Sequence, residues 1–474
     1  MSQGGDHLRS GQLGTADVTA STVANIGPGI DFYFAFGVIA VTAGVAAPLT
    51  IIAAGVAVAL LAFTVAEFTK AEPSAGSFIT YVETALGSRA GVATALLVAV
   101  GYTVAIAAVF AMSGGMVAMT LAHYTSWHPP WGPLTLLLTV GAIWLTARGV
   151  KLSTAAVGAA VLAQVAVMVV VCVVVLVDQR AELSGLPFSW AHLTGGLSGL
   201  SAGFPLALYM FIGWENGPAL AEESRDPRRT IPRALYISVA IAVALFVLFA
   251  YATVTGFGYD VSSLGRSSVP FLTVADHYLG GAAVLAWLAG IVSVLATLVA
   301  AADSQSRMLF DGGRTGLLPA TLGHVRPRSG TPVNALLVMA CAGLGIIGVW
   351  WVSHLVSGDT GAMNPVGLYA ECSTMGTIVI LFVYFLTTLS LPVFMWRRHR
   401  DSFSPFRHAA IPVLGSLTLT VPFAELFQPG QPAPYSAFPF IALAIAAAAA
   451  VIACVVVYRH PRTGAGEGAA FPGT

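Results

Sequence analysis

Long apolar runs follow one another along nearly the whole chain, with only short polar connections between them. An α-helix rises about 1.5 Å per residue, so a run of about twenty residues crosses the hydrocarbon core of a bilayer. Twelve spans are expected, over residues 18–43, 46–69, 91–122, 131–148, 152–177, 198–221, 233–257, 280–309, 333–356, 368–396, 408–427 and 437–458. Composition agrees: of 474 residues, 57% are hydrophobic and 9% charged, which excludes a soluble protein. The expected fold class is an all-α integral membrane protein with the lipid bilayer as its solvent. The first 17 residues are polar and lead into the first span without a cleavage site, so no cleaved signal peptide is expected.

Net charge is zero, so charge balance says nothing about partners, and no nucleic-acid partner is expected. Its distribution says more. All of the 21 Lys and Arg residues except Arg180 and Arg266 fall on one side of the twelve-span map. Positively charged loops stay in the cytoplasm, so both termini are expected there, in a multi-pass protein of the plasma membrane. The tails are residues 1–17 and 459–474, the latter Gly- and Ala-rich and expected to be disordered. The four cysteines lie in or beside apolar runs with no metal or redox spacing, which suggests buried free thiols.

Two spans are interrupted. In the first, Asn25-Ile26-Gly27-Pro28-Gly29-Ile30-Asp31 puts two glycines, a proline and a carboxylate inside an apolar run. In the sixth, Gly213, Glu215, Asn216, Gly217 and Pro218 do the same. Gly and Pro weaken helices, and a carboxylate in hydrocarbon is costly unless something uses it. Broken helix is tolerated at membrane depth only where protein or a watery cavity satisfies the freed backbone. A proline kink explains either break singly. Paired breaks at corresponding places point to a transporter site between inverted repeats.

Other candidates have plain readings beside functional ones. Tyr102 in span 3 is either core packing or the lining of a cavity. Gln164 in span 5 reads as glue between helices. Ser293 and Thr297 in span 8 share one helical face, and either offer oxygens to a cation or bond the preceding turn. Asp303 lies one turn before Arg307, where an ion pair is the alternative to a transport role. Glu67 to Phe78 reads as a solvated turn, and Glu371 and Glu425 as interfacial acids. No nucleotide loop, metal cluster or nucleophile triad is present, so neither a cofactor nor an enzymatic activity is expected.

The run Gly213-Trp214-Glu215 … Ala221-Glu222-Glu223 … Asp226-Pro227-Arg228-Arg229 … Ile231-Pro232 resembles the G-F-E … A-E-E … N-P-R-R-x-I-P signature of the amino acid–polyamine–organocation (APC) permeases. Gly27-Pro28-Gly29-Ile30 is similar to that family's span-1 G-x-G-I, and Pro73-Ser74-Ala75-Gly76-Ser77-Phe78 to its P-x-A-G-G-x-Y. Ser306-Arg307-Met308-Leu309-Phe310 with Gly316-Leu317-Leu318-Pro319 resembles S-R-x-L-Y … G-L-L-P, and Gly330-Thr331-Pro332 the G-T-P before span 9.

The resemblance implies a leucine-transporter-type fold. Its two inverted repeats of five spans would cover residues 18–197 and 198–396, with discontinuous helices 1 and 6 and two peripheral spans over 397–458. It implies secondary transport of an amino acid or related amine by alternating access, as an ion-coupled symporter or an exchanger. Gly27 and Gly29 would offer N–H groups to a substrate carboxylate, and carbonyls of Asn25, Ile26, Met210 and Phe211 would receive its ammonium. Tyr209 falls where some members hold a stacking aromatic, and Glu215 matches the family's span-6 acid. Tyr102, Gly213 and Trp214 complete the expected substrate site; Glu215, Gln164, Ser293 and Thr297 form the expected coupling group for a proton or a sodium ion.

Three departures stand out. Gln164 falls where some proton-coupled members carry a Lys in place of sodium, a role a neutral amide cannot fill. Asp31 is unusual so soon after the break; it binds a cationic substrate group, binds a coupling ion, or sits paired at the cavity edge. Trp214 stands where the motif carries Phe. A nutrient sensor on a transporter fold is the rival reading, although the tails are short for a signalling domain. Substrate, coupling and oligomeric state stay open at this level.

Overall fold

The computed structural model describes residues 11, 13–74, 76–148, 153–326, 330–358, 363–428 and 433–459. The expected disordered tail from Pro461, the Ala75 position and the Glu425 side chain lie outside what is described. Among the described residues the secondary structure is helical, with isolated bridges at Leu13–Ser224 and Arg326–Thr331 as the only extended pairing. In chain order the helices are α1 (Thr15–Ile26), α2 (Pro28–Ala43), α3 (Ala47–Ala71), α4 (Phe78–Leu86), α5 (Ser88–Tyr124), α6 (Trp131–Ala147), α7 (Ser153–Asp178), α8 (Leu197–Tyr209) and α9 (Asn216–Ala219). They continue as α10 (Pro227–Gly256), α11 (Val261–Arg266), α12 (Pro270–Leu279), α13 (Val284–Arg314), α14 (Val333–Ser357), α15 (Pro365–Arg398), α16 (Ile411–Glu425) and α17 (Phe438–Arg459).

Eight helical stretches are long and apolar enough to cross a membrane: Thr15–Ala71, Ser88–Tyr124, Val157–Asp178, Pro227–Gly256, Pro270–Arg314, Val333–Ser357, Pro365–Arg398 and Tyr435–Arg459. The first runs through α1, α2 and α3, joined by tight turns at Gly27 and Gly44. α6 and α8 are shorter apolar helices. The stretches differ in what they face. α5 is buried along most of its length, whereas α14 and α17 turn residues such as Val356 and Val451 outward, as lipid-facing helices do.

The buried centre is built by close approach of backbones. α5 packs along α15 because Gly101 and Gly376 keep the seam thin: a Cβ on Gly376 would stand 2.9 Å from the Ala105 nitrogen. Small residues at such seams supply the contact area that a hydrophobic driving force cannot provide in lipid. α3 is held against α10 and, at its C-terminal end, is tied through Glu67 to the π-helical turn Phe406–Ala410 that precedes α16.

The C-terminal end of α3 departs from expectation. Glu67 is 5% exposed rather than solvated, and accepts hydrogen bonds from Lys70 (2.7 Å), Arg407 (3.0 Å) and His408 Nε2 (3.0 Å). The Ser404 N–H donates to His408 Nδ1, so Nε2 carries the ring proton that Glu67 receives. Gly76, Ser77 and Phe78 are likewise buried rather than solvated, and a Cβ on Gly76 would collide with Asp311 and Thr80. The cysteines divide. Cys172 and Cys372 are buried as expected, whereas Cys341 and Cys454 are exposed on helices that face outward.

Candidate functional site

The two interruptions meet. α1 ends where Gly27 takes φ +65°, and Pro28, which has no N–H to lose, begins α2 at its first position. α8 ends at Tyr209, and residues 210–215 leave the helix before the single turn of α9. Gly213, at φ +108°, lies against the end of α1: a Cβ there would stand 2.6 Å from the Asn25 carbonyl carbon. The Asn25 side chain returns the contact by donating to the Gly213 carbonyl at 3.4 Å. Each break is thus packed against the other within the protein, as broken helix at membrane depth demands.

Beside this contact lies a cavity of about 30 Å³. Asn25, Asp31, Tyr102, Tyr209, Gly213, Glu215 and Thr297 of the expected residues line it. Ile26, Gly27, Gly29, Met210, Phe211, Trp214, Gln164 and Ser293 do not border it directly. Sequence reading misses the rest of its wall, which includes Ile106, Val109, Ile212, Ala301, Ser304, Gln305 and Met308. The spacing of Ala301, Ser304, Gln305 and Met308, one helical face below Thr297, is the signal that could have found them.

Both buried acids are capped by tyrosines. Tyr102 donates to Glu215 Oε1, and the Gly213 N–H donates to Oε2 at 3.0 Å, so the break itself holds the carboxylate. Tyr102 thus does more than pack. Tyr369, from α15, donates to Asp31 Oδ1 at 2.9 Å. Trp214 does not line the cavity; it gives its Nε1–H to the Tyr384 hydroxyl (3.2 Å) and packs at a steep angle against Phe78.

A second polar cluster lies behind α2. The Ile30 N–H donates to Ser293 Oγ at 2.8 Å, and Thr297 Oγ1 donates to the Ala24 carbonyl at 3.4 Å. These hydroxyls reach across to the first break instead of bonding their own preceding turn. The Gln164 carboxamide faces Gly29, where a Cβ would stand 3.3 Å from Oε1, yet both its polar atoms are buried without a hydrogen-bond partner. It therefore makes no hydrogen bond of the interhelical kind expected of it. The Gly27 N–H closes the last turn of α1 on the Val23 carbonyl (3.2 Å), so it does not face an anion in this conformation.

The C-terminal end of α13 carries a charge network. Asp303 pairs with Arg307 at 3.1 Å, as its position one turn earlier suggests, and Glu223 also contacts Arg307. Arg314 binds Glu222 (2.7 Å) and Asp311 (2.6 Å). The Leu13 N–H donates to the Glu223 carbonyl (3.0 Å) and its carbonyl accepts from the Arg225 N–H (3.1 Å), tying the N-terminal segment to the same turn. The Ala-Glu-Glu and Ser-Arg stretches thus belong to one structural unit.

Glu83, on the short α4 outside the membrane stretches, stands near this network with Oε1 buried and unbonded. Burial, and then the Asp311 carboxylate, push it up from 4.5 to about 7. A carboxyl raised in the folded state contributes stability below its unfolded value, and loses it as pH climbs through the folded one. Glu83→Gln should therefore match wild type in melting temperature at pH 5 and exceed it at pH 8. Parallel melting curves across that range would mean that Glu83 ionises freely.

Two interrupted helices thus meet beside a small cavity in an all-helical protein with membrane-length apolar stretches. The profile of the amino acid permease family matches residues 13–461, and the chain belongs to that family, within the APC superfamily. Its relatives are permeases, not enzymes. It is 24% identical over 437 residues to the branched-chain amino acid permease of Bacillus subtilis, covering 86% of each chain. It is 24% identical over 409 residues to the methylthioribose transporter of the same organism, covering 82% of each. It is 26% identical over 332 residues to vacuolar cationic amino acid transporter 2 of Arabidopsis thaliana, covering 66% of this chain and 51% of that one.

Proposed function

We propose that the chain moves an amino acid or related amine across the plasma membrane by alternating access, as an ion-coupled symporter or an exchanger. The observation that carries the reading is the backbone contact between Gly213 and Asn25 at the edge of the cavity. Two half-helices ending there turn their carbonyl ends toward an ammonium, and the start of α2 turns its N–H end toward a carboxylate. Once the helices part, the carbonyls of Asn25, Ile26, Met210 and Phe211 serve the first role, the last giving up its bond to the Trp214 N–H, and the Gly29 N–H the second. Glu215 is the coupling carboxylate. Gln164, Ser293 and Thr297 form the accessory cluster that answers a proton or sodium ion. Relatives named for branched-chain and cationic amino acids support the substrate class.

In this reading twelve spans form two inverted repeats, residues 18–197 and 198–396, with residues 397–458 peripheral and both termini in the cytoplasm. The Arg307 and Arg314 network closes the cytoplasmic mouth. A cavity of about 30 Å³ holds water but no amino acid, so loading requires the helices around it to part. Purified protein in proteoliposomes should take up a labelled amino acid or amine saturably. Unlabelled substrate inside, or an imposed proton or sodium gradient, should accelerate uptake. Folded protein that shows neither uptake nor counterflow with any of these compounds would overturn the reading.

A further inference from the structure

We propose that the substrate carries an additional positive charge, as a cationic amino acid or a diamine does, and that Asp31 receives it; the proposal rests on the cavity being the transport site. The wall of the cavity is richer in acceptors than the protein itself can answer. Asp31 is 4% exposed and borders the cavity. Tyr369 occupies Oδ1, while among the described residues nothing donates to Oδ2, and no Lys, Arg or His pairs with this carboxylate. Gln305 also lines the cavity, and its Oε1 is buried without a partner among the described residues. Glu215 adds a second carboxylate, whose oxygens are already answered by Tyr102 and the Gly213 N–H. Among the described residues, no Lys, Arg or His lines the cavity.

Donors facing an anion are few. In the first turn of α2 the Gly27 N–H is taken by Val23, Pro28 has none, and Ile30 gives its N–H to Ser293. The Asp31 N–H is taken by Gly27, which leaves only Gly29, and Gly29 does not border the cavity. A substrate with a neutral side chain would bring one ammonium for the half-helix carbonyls and nothing for Asp31. Buried carboxylates stay in place when a cation or strong donors compensate them. A second ammonium or a guanidinium supplies that compensation, and its remaining hydrogens reach the Gln305 oxygen.

The test compares lysine, ornithine, cadaverine, leucine and alanine in proteoliposome uptake with wild-type protein and Asp31→Asn. Wild type should prefer the cationic compounds by about tenfold or more in kcat/KM, and Asp31→Asn should raise their KM by about tenfold while leaving that of leucine within about twofold. Uptake of lysine without cadaverine would assign the site to cationic amino acids, and the reverse to diamines. Should Asp31→Asn fail to fold, Gln305→Glu adds an acid to the same wall and should tighten the cationic compounds several-fold; unchanged affinity there would count against the proposal. Wild type that carries leucine or alanine as well as lysine and cadaverine would overturn it while leaving the permease reading intact. Transport of none of the five, or of any other amino acid or amine, would remove the permease reading and this one with it.

Discussion

Gly213→Ala should abolish transport. The added methyl would stand 2.6 Å from the Asn25 carbonyl carbon, 2.7 Å from its oxygen and 2.8 Å from the Ile26 nitrogen, all of them backbone atoms that cannot swing aside. The position also holds φ +108°, outside the range open to an L side chain at low cost. Strain at such a residue costs about 1–3 kcal/mol and overpacking about 1–3 kcal/mol more. Since about 1.4 kcal/mol is a factor of ten, the competent arrangement of the two breaks should fall by between tens and tens of thousands of fold. Uptake rate and melting temperature measure it, with Gly345→Ala as the control. A Cβ on Gly345 would meet nothing within 4 Å, and the backbone there is ordinary, so that variant should behave as wild type. Normal transport by Gly213→Ala would show that the two breaks do not need to touch.

Local features of this architecture are legible from the sequence. Gly and Pro inside apolar runs mark both breaks, because no other residues disrupt a helix so strongly. The Asp303–Arg307 pair follows from helical spacing alone. The helices themselves follow from run length, since a bilayer sets one thickness for all of them.

Long-range pairings are not legible. Tyr102 and Glu215 are 113 residues apart, and Tyr369 and Asp31 are 338 apart; nothing local announces that either tyrosine caps an acid. The same holds for His408 and Glu67, 341 residues apart, which is why a buried acid reads as part of a solvated turn. Ser293 and Thr297 are ambiguous for a different reason. A hydroxyl on a helix has its own carbonyl within reach, and only the arrival of α1 and α2 beside α13 decides that it bonds across instead. Trp214 does not border the cavity and instead bonds Tyr384, 170 residues away, a pairing its place in the motif does not announce.

Glu215→Gln should separate coupling from binding. Glu215 accepts from the Tyr102 hydroxyl and from the Gly213 N–H, and a carboxamide can keep both contacts. Its oxygen accepts from Gly213, its amino group donates to Tyr102, and the hydroxyl rotates to accept. Packing and hydrogen bonding are therefore retained, and melting temperature should fall by only a few degrees, corresponding to about 1 kcal/mol or less. What is lost is the charge and the ability to exchange a proton. Gradient-driven accumulation should drop by at least about tenfold, while exchange of external for internal substrate persists. Glu215→Leu makes the contrast, because it strands the Gly213 N–H and the Tyr102 hydroxyl at about 1–3 kcal/mol each, and should destabilise the protein and stop both activities. If Glu215→Gln accumulates substrate as wild type does, the carboxylate is structural and coupling lies elsewhere, with the Gln164, Ser293 and Thr297 cluster the next place to look. If it folds but loses exchange as well, Glu215 acts on substrate binding, and the coupling role passes to another group.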